Sequence, residues 1–226
     1  MTIQIQQLDC IEVSPVKTAI GSVIWLHGLG ADGSDFVPIV PELQLPADMP
    51  LRFIFPNARE IPITINNGYV MRAWYDIVSM NIDQRADHQG IITSVESVNR
   101  LIEKEIERGI PAEKIVVGGF SQGAVIALST GLQYPQRLGG ILALSGYLPH
   151  PEHVFTHASK TNQSIPIFLA HGTQDPVVPY ILGEKVHSLL TQHSYKVNWH
   201  PYAMPHSVCS EEITDLGNWL ASIFEK

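Results

Sequence analysis

The sequence has little cysteine and no long apolar run. Its 226 residues contain two cysteines, Cys10 and Cys209. Two thiols so far apart supply neither a disulfide framework nor a four-ligand zinc site, so we expect a reducing, cytoplasmic location. Residues 1–12 lack the basic and apolar regions of a secretory signal. Because no stretch approaches the ~18 apolar residues of a spanning helix, no membrane span is expected.

Basic residues are also scarce. The chain has 14 Lys and Arg against 22 Asp and Glu, which gives a formal net charge of −8. A nucleic-acid interface needs a basic face, so no nucleic-acid partner is expected. The hydrophobic fraction of 45% excludes the composition of disordered chains. With no repeat and no linker, residues 1–226 are expected to form a single domain.

Short apolar segments alternate with amphipathic ones along the chain. Helices are expected near residues 91–106, 121–134, 180–193 and 213–223, and strands near residues 3–13, 22–26, 51–55, 114–117, 140–144, 165–170 and 196–202. Several strand segments are continuously apolar, as in strands covered on both faces. The pattern predicts an α/β fold with a mostly parallel central sheet between two helical layers. Chemistry in such sheets lies at the carboxyl ends of the strands.

Residues 57–87 interrupt this alternation and are expected to form a flap or insertion with a functional role. Ile61, Ile63 and Ile65 alternate with polar residues or proline. They fit either a mobile flap over a substrate groove, with Met71, Ile77, Val78 and Met80 added, or a short strand packed in the core. An apolar flap would also favour transient contact with a membrane surface. A homodimer formed through the same apolar surface is a further alternative.

A candidate nucleophile follows the fourth of these strands. The segment Gly119-Phe120-Ser121-Gln122-Gly123 has the pattern G-x-S-x-G between a strand and a helix. A serine on so tight a turn needs glycines two residues away on either side, because a Cβ there would collide. The bare pattern also occurs by chance, but its position favours Ser121 as a nucleophile. The backbone N–H of Gln122, at the helix start, is predicted to stabilise an oxyanion.

An acid and a base follow in the order that this fold requires, Ser then Asp then His. Asp175 is the downstream acid that comes directly after an apolar strand. The alternative for Asp175 is a turn or helix cap before Pro176. His206 lies between the last strand and the last helix, where a loop can carry an imidazole back to the serine. The alternative for His206 is an exposed loop histidine.

A glycine-rich segment follows the second strand. In His27-Gly28-Leu29-Gly30, Leu29 is the best placed residue to give the second oxyanion N–H. A plain glycine turn is the alternative. A phosphate loop is disfavoured, because no Gly-Lys-Ser/Thr follows. His150, His153 and His157 lie close together, but with no acidic third ligand fixed by spacing, no metal site is predicted.

Seven segments together resemble the acyl-protein thioesterases and small bacterial carboxylesterases of the α/β-hydrolase superfamily. They are LHGLGADG (26–33), FPNA (55–58), RAWYD (72–76), GGFSQGA (118–124), LSGYLP (144–149), HGTQDPVVP (171–179) and MPHSVC (204–209). They occur in family order over almost the whole chain. The Met204-Pro205-His206 sequence is more similar to the bacterial branch.

The resemblance implies hydrolysis of carboxylic esters and thioesters through an acyl-enzyme, with no cofactor. The substrate would be a small acyl ester or thioester, an acylated protein or a lysophospholipid; a lactone or drug ester, or a non-catalytic binding role, are the alternatives. Ser121, Asp175 and His206 match the family triad, and Leu29 and Gln122 match the oxyanion amides. The substrate-binding candidates are Trp74, which matches a tryptophan near the acyl site, and Ile63, Ile65, Met71 and Val177.

Overall fold

The computed structural model describes residues 8–79 and 86–225. The strands are β1 (Cys10–Val13), β2 (Gly21–Leu26), β3 (Leu51–Pro56), β4 (Glu60–Ile63), β5 (Tyr69–Arg72), β6 (Ile115–Phe120), β7 (Gly140–Leu144), β8 (Ile167–Gly172) and β9 (Val197–Tyr202). The helices are α1 (Ile39–Glu42), α2 (His88–Glu107), α3 (Gln122–Gln133), α4 (Pro151–Thr156), α5 (Tyr180–Gln192) and α6 (Ser210–Phe224). Residues 3–7 of the first expected strand, and Met80, lie outside the described residues.

Seven strands form the central sheet, in the order β1-β3-β2-β6-β7-β8-β9. β1 pairs antiparallel with β3, and the remaining neighbours pair in parallel. The α/β fold with a mostly parallel sheet is therefore confirmed. Since parallel strands share one direction, the segments after β2, β6, β8 and β9 all leave at the same edge of the sheet. Those four segments carry the residues predicted to act in catalysis.

Both faces of the sheet are covered. Ile24 and Leu26 of β2 belong to the same buried cluster as the apolar stripe of α2, which includes Val98 and Ile102. Val23 and Trp25 of β2 join a second cluster that contains Leu216 and Leu220 of α6. Each residue of β2 is buried, which explains why this strand is continuously apolar rather than alternating.

Within residues 57–87, strands β4 and β5 form an antiparallel hairpin. Ile63 has no exposed surface and packs with Ala73 and Ile77, while Ile61, Ile65 and Met71 are partly buried against this group. The expected alternation ends at Ile63, because a 3-10 turn occupies Thr64–Asn66. We call residues 60–72 the hairpin. Ile63 is thus packed as the second of the two alternatives describes, and a mobile flap over a substrate groove stays a prediction.

No helix in the described parts of the chain is long and apolar enough to cross a membrane.

Candidate active site

The nucleophile turn is set by backbone crowding. Ser121 joins β6 to α3 with φ +56° and ψ −117°, a conformation that L-residues rarely adopt. A Cβ at Gly119 would lie 2.3 Å from the backbone carbon of Gly123, and one at Gly123 would lie 2.2 Å from the Leu26 carbonyl oxygen. Backbone atoms cannot yield as a side chain can, so both glycines are required for the turn. The sequence motif predicted this crowding as the reason why both positions are glycine.

The structure brings the three predicted catalytic side chains together. Nε2 of His206 lies 3.0 Å from Oγ of Ser121, and Nδ1 of His206 lies 2.6 Å from Oδ2 of Asp175. Both distances are within hydrogen-bonding range. Ser121 and His206 are half-buried, whereas Asp175 is 7% exposed. The arrangement can pass a proton from the serine hydroxyl to an imidazole that is held by a buried carboxylate.

Asp175 is fixed from its other side. Its Oδ1 accepts hydrogen bonds from the backbone N–H groups of Val177 and Val178, both at 2.8 Å. Nε2 of the buried His171 lies 2.8 Å from the Val178 carbonyl oxygen and 3.5 Å from Oδ2 of Asp175. A carbonyl oxygen can only accept, so Nε2 of His171 carries a hydrogen and donates to Val178. Burial lowers the pKa of His171, which favours the neutral ring. Oδ2 of Asp175 is therefore available for the hydrogen bond with Nδ1 of His206. Sequence reasoning did not find His171.

Phe120 packs against the imidazole of His206. Its ring lies against that of His206, with centroids 4.7 Å apart and planes at 44°. Phe120 directly precedes Ser121 in the sequence. The contact restricts tilting of the imidazole away from the serine.

The two predicted oxyanion residues lie on segments that both bond to residues 72–75. Gln122 is the first residue of α3, and its side chain is buried. Its Oε1 accepts from the Trp74 backbone N–H at 3.1 Å, and its Nε2 donates to the Tyr75 carbonyl at 3.0 Å. On the other segment, the Gly30 N–H donates to the Arg72 carbonyl at 2.9 Å. The end of the hairpin and the residues after it therefore connect the loop at Leu29 to the nucleophile helix.

The predicted substrate-binding residues differ in exposure. Trp74 is 3% exposed, and its indole N–H donates to the His27 carbonyl at 2.8 Å. Ile63 is wholly buried, so contact with substrate would require it to become exposed. Ile65 and Met71 are partly buried against the small cluster that Leu29 also contacts, and Val177 is 53% exposed. Among these five, Ile65, Met71 and Val177 thus have surface to offer a substrate, and Trp74 contacts the glycine-rich loop.

A histidine cluster lies apart from the serine. His88 at the start of α2 packs edge-on against His150 and His153, and His153 contacts His157. Burial and neighbouring imidazoles lower the pKa of both His88 and His153. Within residues 8–79 and 86–225, no group of three or more His, Cys, Asp or Glu side chains is arranged to hold a metal ion.

Comparisons with known proteins identify the family of this chain. Residues 9–224 match the phospholipase/carboxylesterase family. Acyl-protein thioesterase 1 of Yarrowia lipolytica is 40% identical over 212 residues, which cover 91% of this chain and 93% of that protein. Acyl-protein thioesterase 1 of Cryptococcus neoformans is 35% identical over 231 residues, 94% of this chain and 96% of that protein. Both are fungal, so the bacterial branch that Met204-Pro205-His206 predicted gains no support from them.

Solved structures show the same fold. The crystal structure of Zea mays acyl-protein thioesterase 2 superposes with a TM-score of 0.84 at 29% identity and covers 96% of this chain and 99% of that one. A Bacillus cereus carboxylesterase has a TM-score of 0.77 at 19% identity, covers 96% of this chain and 94% of its own, and supports the fold alone. The chain therefore belongs to the phospholipase/carboxylesterase family of α/β-hydrolases, and it is a serine hydrolase of esters.

Proposed function

We propose that Ser121 is the nucleophile, His206 the general base and Asp175 the residue that orients it. The observation that carries this proposal is the hydrogen-bonded series Ser121–His206–Asp175 at 3.0 and 2.6 Å. His206 accepts the Ser121 proton as Oγ attacks the acyl carbon, and then returns it to the leaving group. Water activated by the same imidazole hydrolyses the acyl-enzyme. No step calls for a cofactor.

The backbone N–H groups of Leu29 and Gln122 are proposed to stabilise the oxyanion of each tetrahedral intermediate. Gln122 supplies its amide at the first turn of α3, where backbone N–H groups lack intrahelical partners. A Cβ added at Gly28 would lie 3.5 Å from Cβ of Ser121, which places the glycine-rich loop beside the nucleophile. Removal of one such donor lowers the rate by about 10²–10³-fold in other hydrolases.

The proposed substrates are long-chain or short-chain acyl thioesters and esters, including acylated proteins. The names of the fungal and maize relatives support a thioester bond. On this chain, Ile65 and Met71 of the hairpin pack against the same small apolar cluster as Leu29. They would contact the acyl chain, as would the exposed Val177 after Asp175. A lysophospholipid is the alternative, since it presents the same ester carbonyl and an acyl chain.

Partners beyond the substrate belong to the same proposal. Tyr69 and Val70 of the hairpin are 69% and 56% exposed, which would suit transient contact with a membrane surface or with a second copy of the chain. A cytoplasmic location, expected from the cysteine content, fits a substrate that is an intracellular acylated protein.

The test is a series of p-nitrophenyl esters and matched thioesters, from acetyl to palmitoyl, with wild type and Ser121→Ala. We expect turnover by wild type and none by the variant. The chain length with the highest kcat/KM then measures the acyl groove beside the hairpin. A folded wild type that hydrolyses no member of either series would contradict the proposal and favour a non-catalytic binding role. Turnover of lysophospholipids above that of thioesters would favour the alternative substrate.

A further inference from the structure

We propose that His27 is a positioning residue for the oxyanion hole, held as the neutral Nδ1–H tautomer so that it sets the direction of the Leu29 N–H. This proposal rests on the proposed function, because it assigns a purpose to the amide that would hold the oxyanion. It concerns a side chain that does not touch the substrate.

The hydrogen-bond partners of His27 determine its tautomer. The ring is buried, and the backbone N–H of Ala58 points at Nε2 from 3.0 Å. A backbone amide is always a donor, so Nε2 must be the unprotonated acceptor. A neutral imidazole then carries its hydrogen on Nδ1, which lies 2.7 Å from the Gly28 carbonyl oxygen. Each ring nitrogen thus has a partner that fits one tautomer.

The charged form of His27 does not fit these partners. Protonation would place an Nε2–H against the N–H of Ala58, two donors facing each other. Burial lowers the pKa of His27, although the Gly28 carbonyl opposes this effect. The ring therefore remains neutral, and its Nδ1–H bond to Gly28 persists.

The bond to Gly28 orients the next amide through the peptide plane. The peptide that links Gly28 to Leu29 is planar and trans, so its C=O and N–H point in opposite directions. His27 Nδ1 holds the Gly28 carbonyl at 2.7 Å, and the Ala31 N–H approaches it at 3.3 Å. With the oxygen fixed, the Leu29 N–H on the other end of the plane is fixed as well. Direction matters because a donor stabilises an oxyanion only when it is aimed at that oxygen.

Trp74 holds the preceding peptide. Its indole N–H donates to the His27 carbonyl at 2.8 Å, and its ring lies against the imidazole with centroids 5.3 Å apart. The two consecutive peptides before Leu29 are therefore both fixed by side chains. Ala58 and Trp74, which lie before and after the hairpin, therefore both hold His27.

Three substitutions of His27 separate the roles of its two nitrogens. In His27→Asn, the amide nitrogen takes the place of Nδ1 and can donate to Gly28. In His27→Gln, the amide group takes the place of Nε2 and can accept from Ala58. His27→Phe keeps the ring shape and neither bond. We expect kcat to fall about 10²-fold in the Phe and Gln variants, but less than about tenfold in the Asn variant, with KM little changed.

A boronic acid inhibitor supplies a second readout, because its tetrahedral adduct on Ser121 places an oxygen in the oxyanion hole. We expect its affinity to fall across the variants in proportion to kcat. His193→Phe, which replaces an exposed histidine at the C-terminal end of α5, is the matched control and should change neither quantity. Equal kcat in the Asn and Phe variants, or a loss confined to KM, would overturn the proposal.

Nitrogen-15 spectra of the histidine rings test the tautomer without any turnover. We expect a neutral Nδ1–H ring signal in wild type that disappears in His27→Asn. An Nε2–H tautomer at His27 would overturn the proposal even if esters are hydrolysed and even if His27→Phe fails to fold. A wild type with the Nδ1–H signal but no ester turnover would instead overturn the proposed function, and the role in an oxyanion hole with it.

Discussion

Two buried histidines beside the site carry their hydrogens on opposite nitrogens. His27 donates from Nδ1 to Gly28, and His171 donates from Nε2 to Val178. Each donates to a backbone carbonyl next to a group of the site: Gly28 precedes the Leu29 amide, and the Val178 N–H donates to Asp175. Because the tautomers differ, asparagine can replace the donor of His27 and glutamine can replace the donor of His171.

Replacement of His171 should show this difference. In His171→Gln the amide nitrogen occupies the place of Nε2 and can still donate to Val178, whereas His171→Asn and His171→Phe cannot reach it. We expect the Gln variant to retain most of kcat, and the other two to lose about tenfold, the worth of one buried hydrogen bond. Steady-state kinetics with one p-nitrophenyl ester measure this. Equal losses in the Gln and Phe variants would show that His171 acts through packing alone.

The sequence predicts the triad but not its supports. Ser121, Asp175 and His206 are recognisable because each follows a strand and because their order is characteristic of the fold. His27 and His171 lie in the same motifs, yet their roles depend on the Ala58 amide and the Val178 carbonyl. Those partners are brought into place by the tertiary fold, and a spacing rule does not specify which nitrogen they face.

At the scale of elements, the strand–turn–helix unit around Ser121 tolerates no side chain at Gly123. A methyl group there would lie 2.2 Å from the Leu26 carbonyl oxygen in the neighbouring strand. We expect Gly123→Ala to lower the free energy of unfolding by more than about 2 kcal/mol and to reduce kcat, because β2 and α3 must separate. Urea denaturation and ester kinetics measure the two effects.

Gly109→Ala is the matched control for that substitution. Gly109 has φ +94°, but a Cβ there would meet nothing within 4 Å. We expect Gly109→Ala to lower the free energy of unfolding by about 1 kcal/mol, because of backbone strain. Its kcat should be unchanged. If Gly123→Ala were no more destabilising than Gly109→Ala, the requirement for glycine at position 123 would not come from close packing of the turn against β2.

The bounds of the short elements in the hairpin are not predicted by the sequence pattern. Its strands are four residues each, and the isoleucine alternation that predicts a strand runs on into a 3-10 turn. An alternation of apolar and polar residues over so few positions does not show where the strand ends. Likewise, α1 and α4 span four and six residues, too short for a helical stripe to be seen. The long stripes of α2 and α6 predicted those helices.

At the scale of the whole molecule, one buried carboxyl makes stability depend on pH. Glu212 in the first turn of α6 has no exposed surface, and burial raises its pKa from 4.5 to about 8, although the Cys209 backbone N–H opposes the shift. Below about pH 4.5 both folded and unfolded chains hold the proton. As pH rises toward 8, the unfolded chain releases it first, so the contribution of Glu212 to stability is lost.

Glu212→Gln isolates this effect. We expect the free energy of unfolding of wild type, minus that of the variant, to fall by about 2–5 kcal/mol between pH 5 and pH 9. Urea denaturation at both pH values gives the difference, and the amide's own packing cancels in the comparison. A difference that stays constant with pH, or that rises, would show that Glu212 is ionised in the folded protein.

The overall topology is the part of the fold that the sequence predicts best. Continuous apolar strands between amphipathic helices imply a parallel sheet covered on both sides, and parallel strands bring their carboxyl ends to one edge. That argument alone places Ser121, Asp175 and His206 together. The strand order, with β1 antiparallel at the edge next to β3, depends on long-range pairing that no local pattern specifies.

The central claim is a covalent acyl-enzyme on Ser121. Its most direct test is the intact mass of wild type and Ser121→Ala after reaction with a fluorophosphonate, followed by peptide mapping. We predict one adduct on wild type, located at Ser121, and none on the variant. Labelling of Ser121→Ala to the same extent, or a folded wild type that remains unlabelled, would contradict the account.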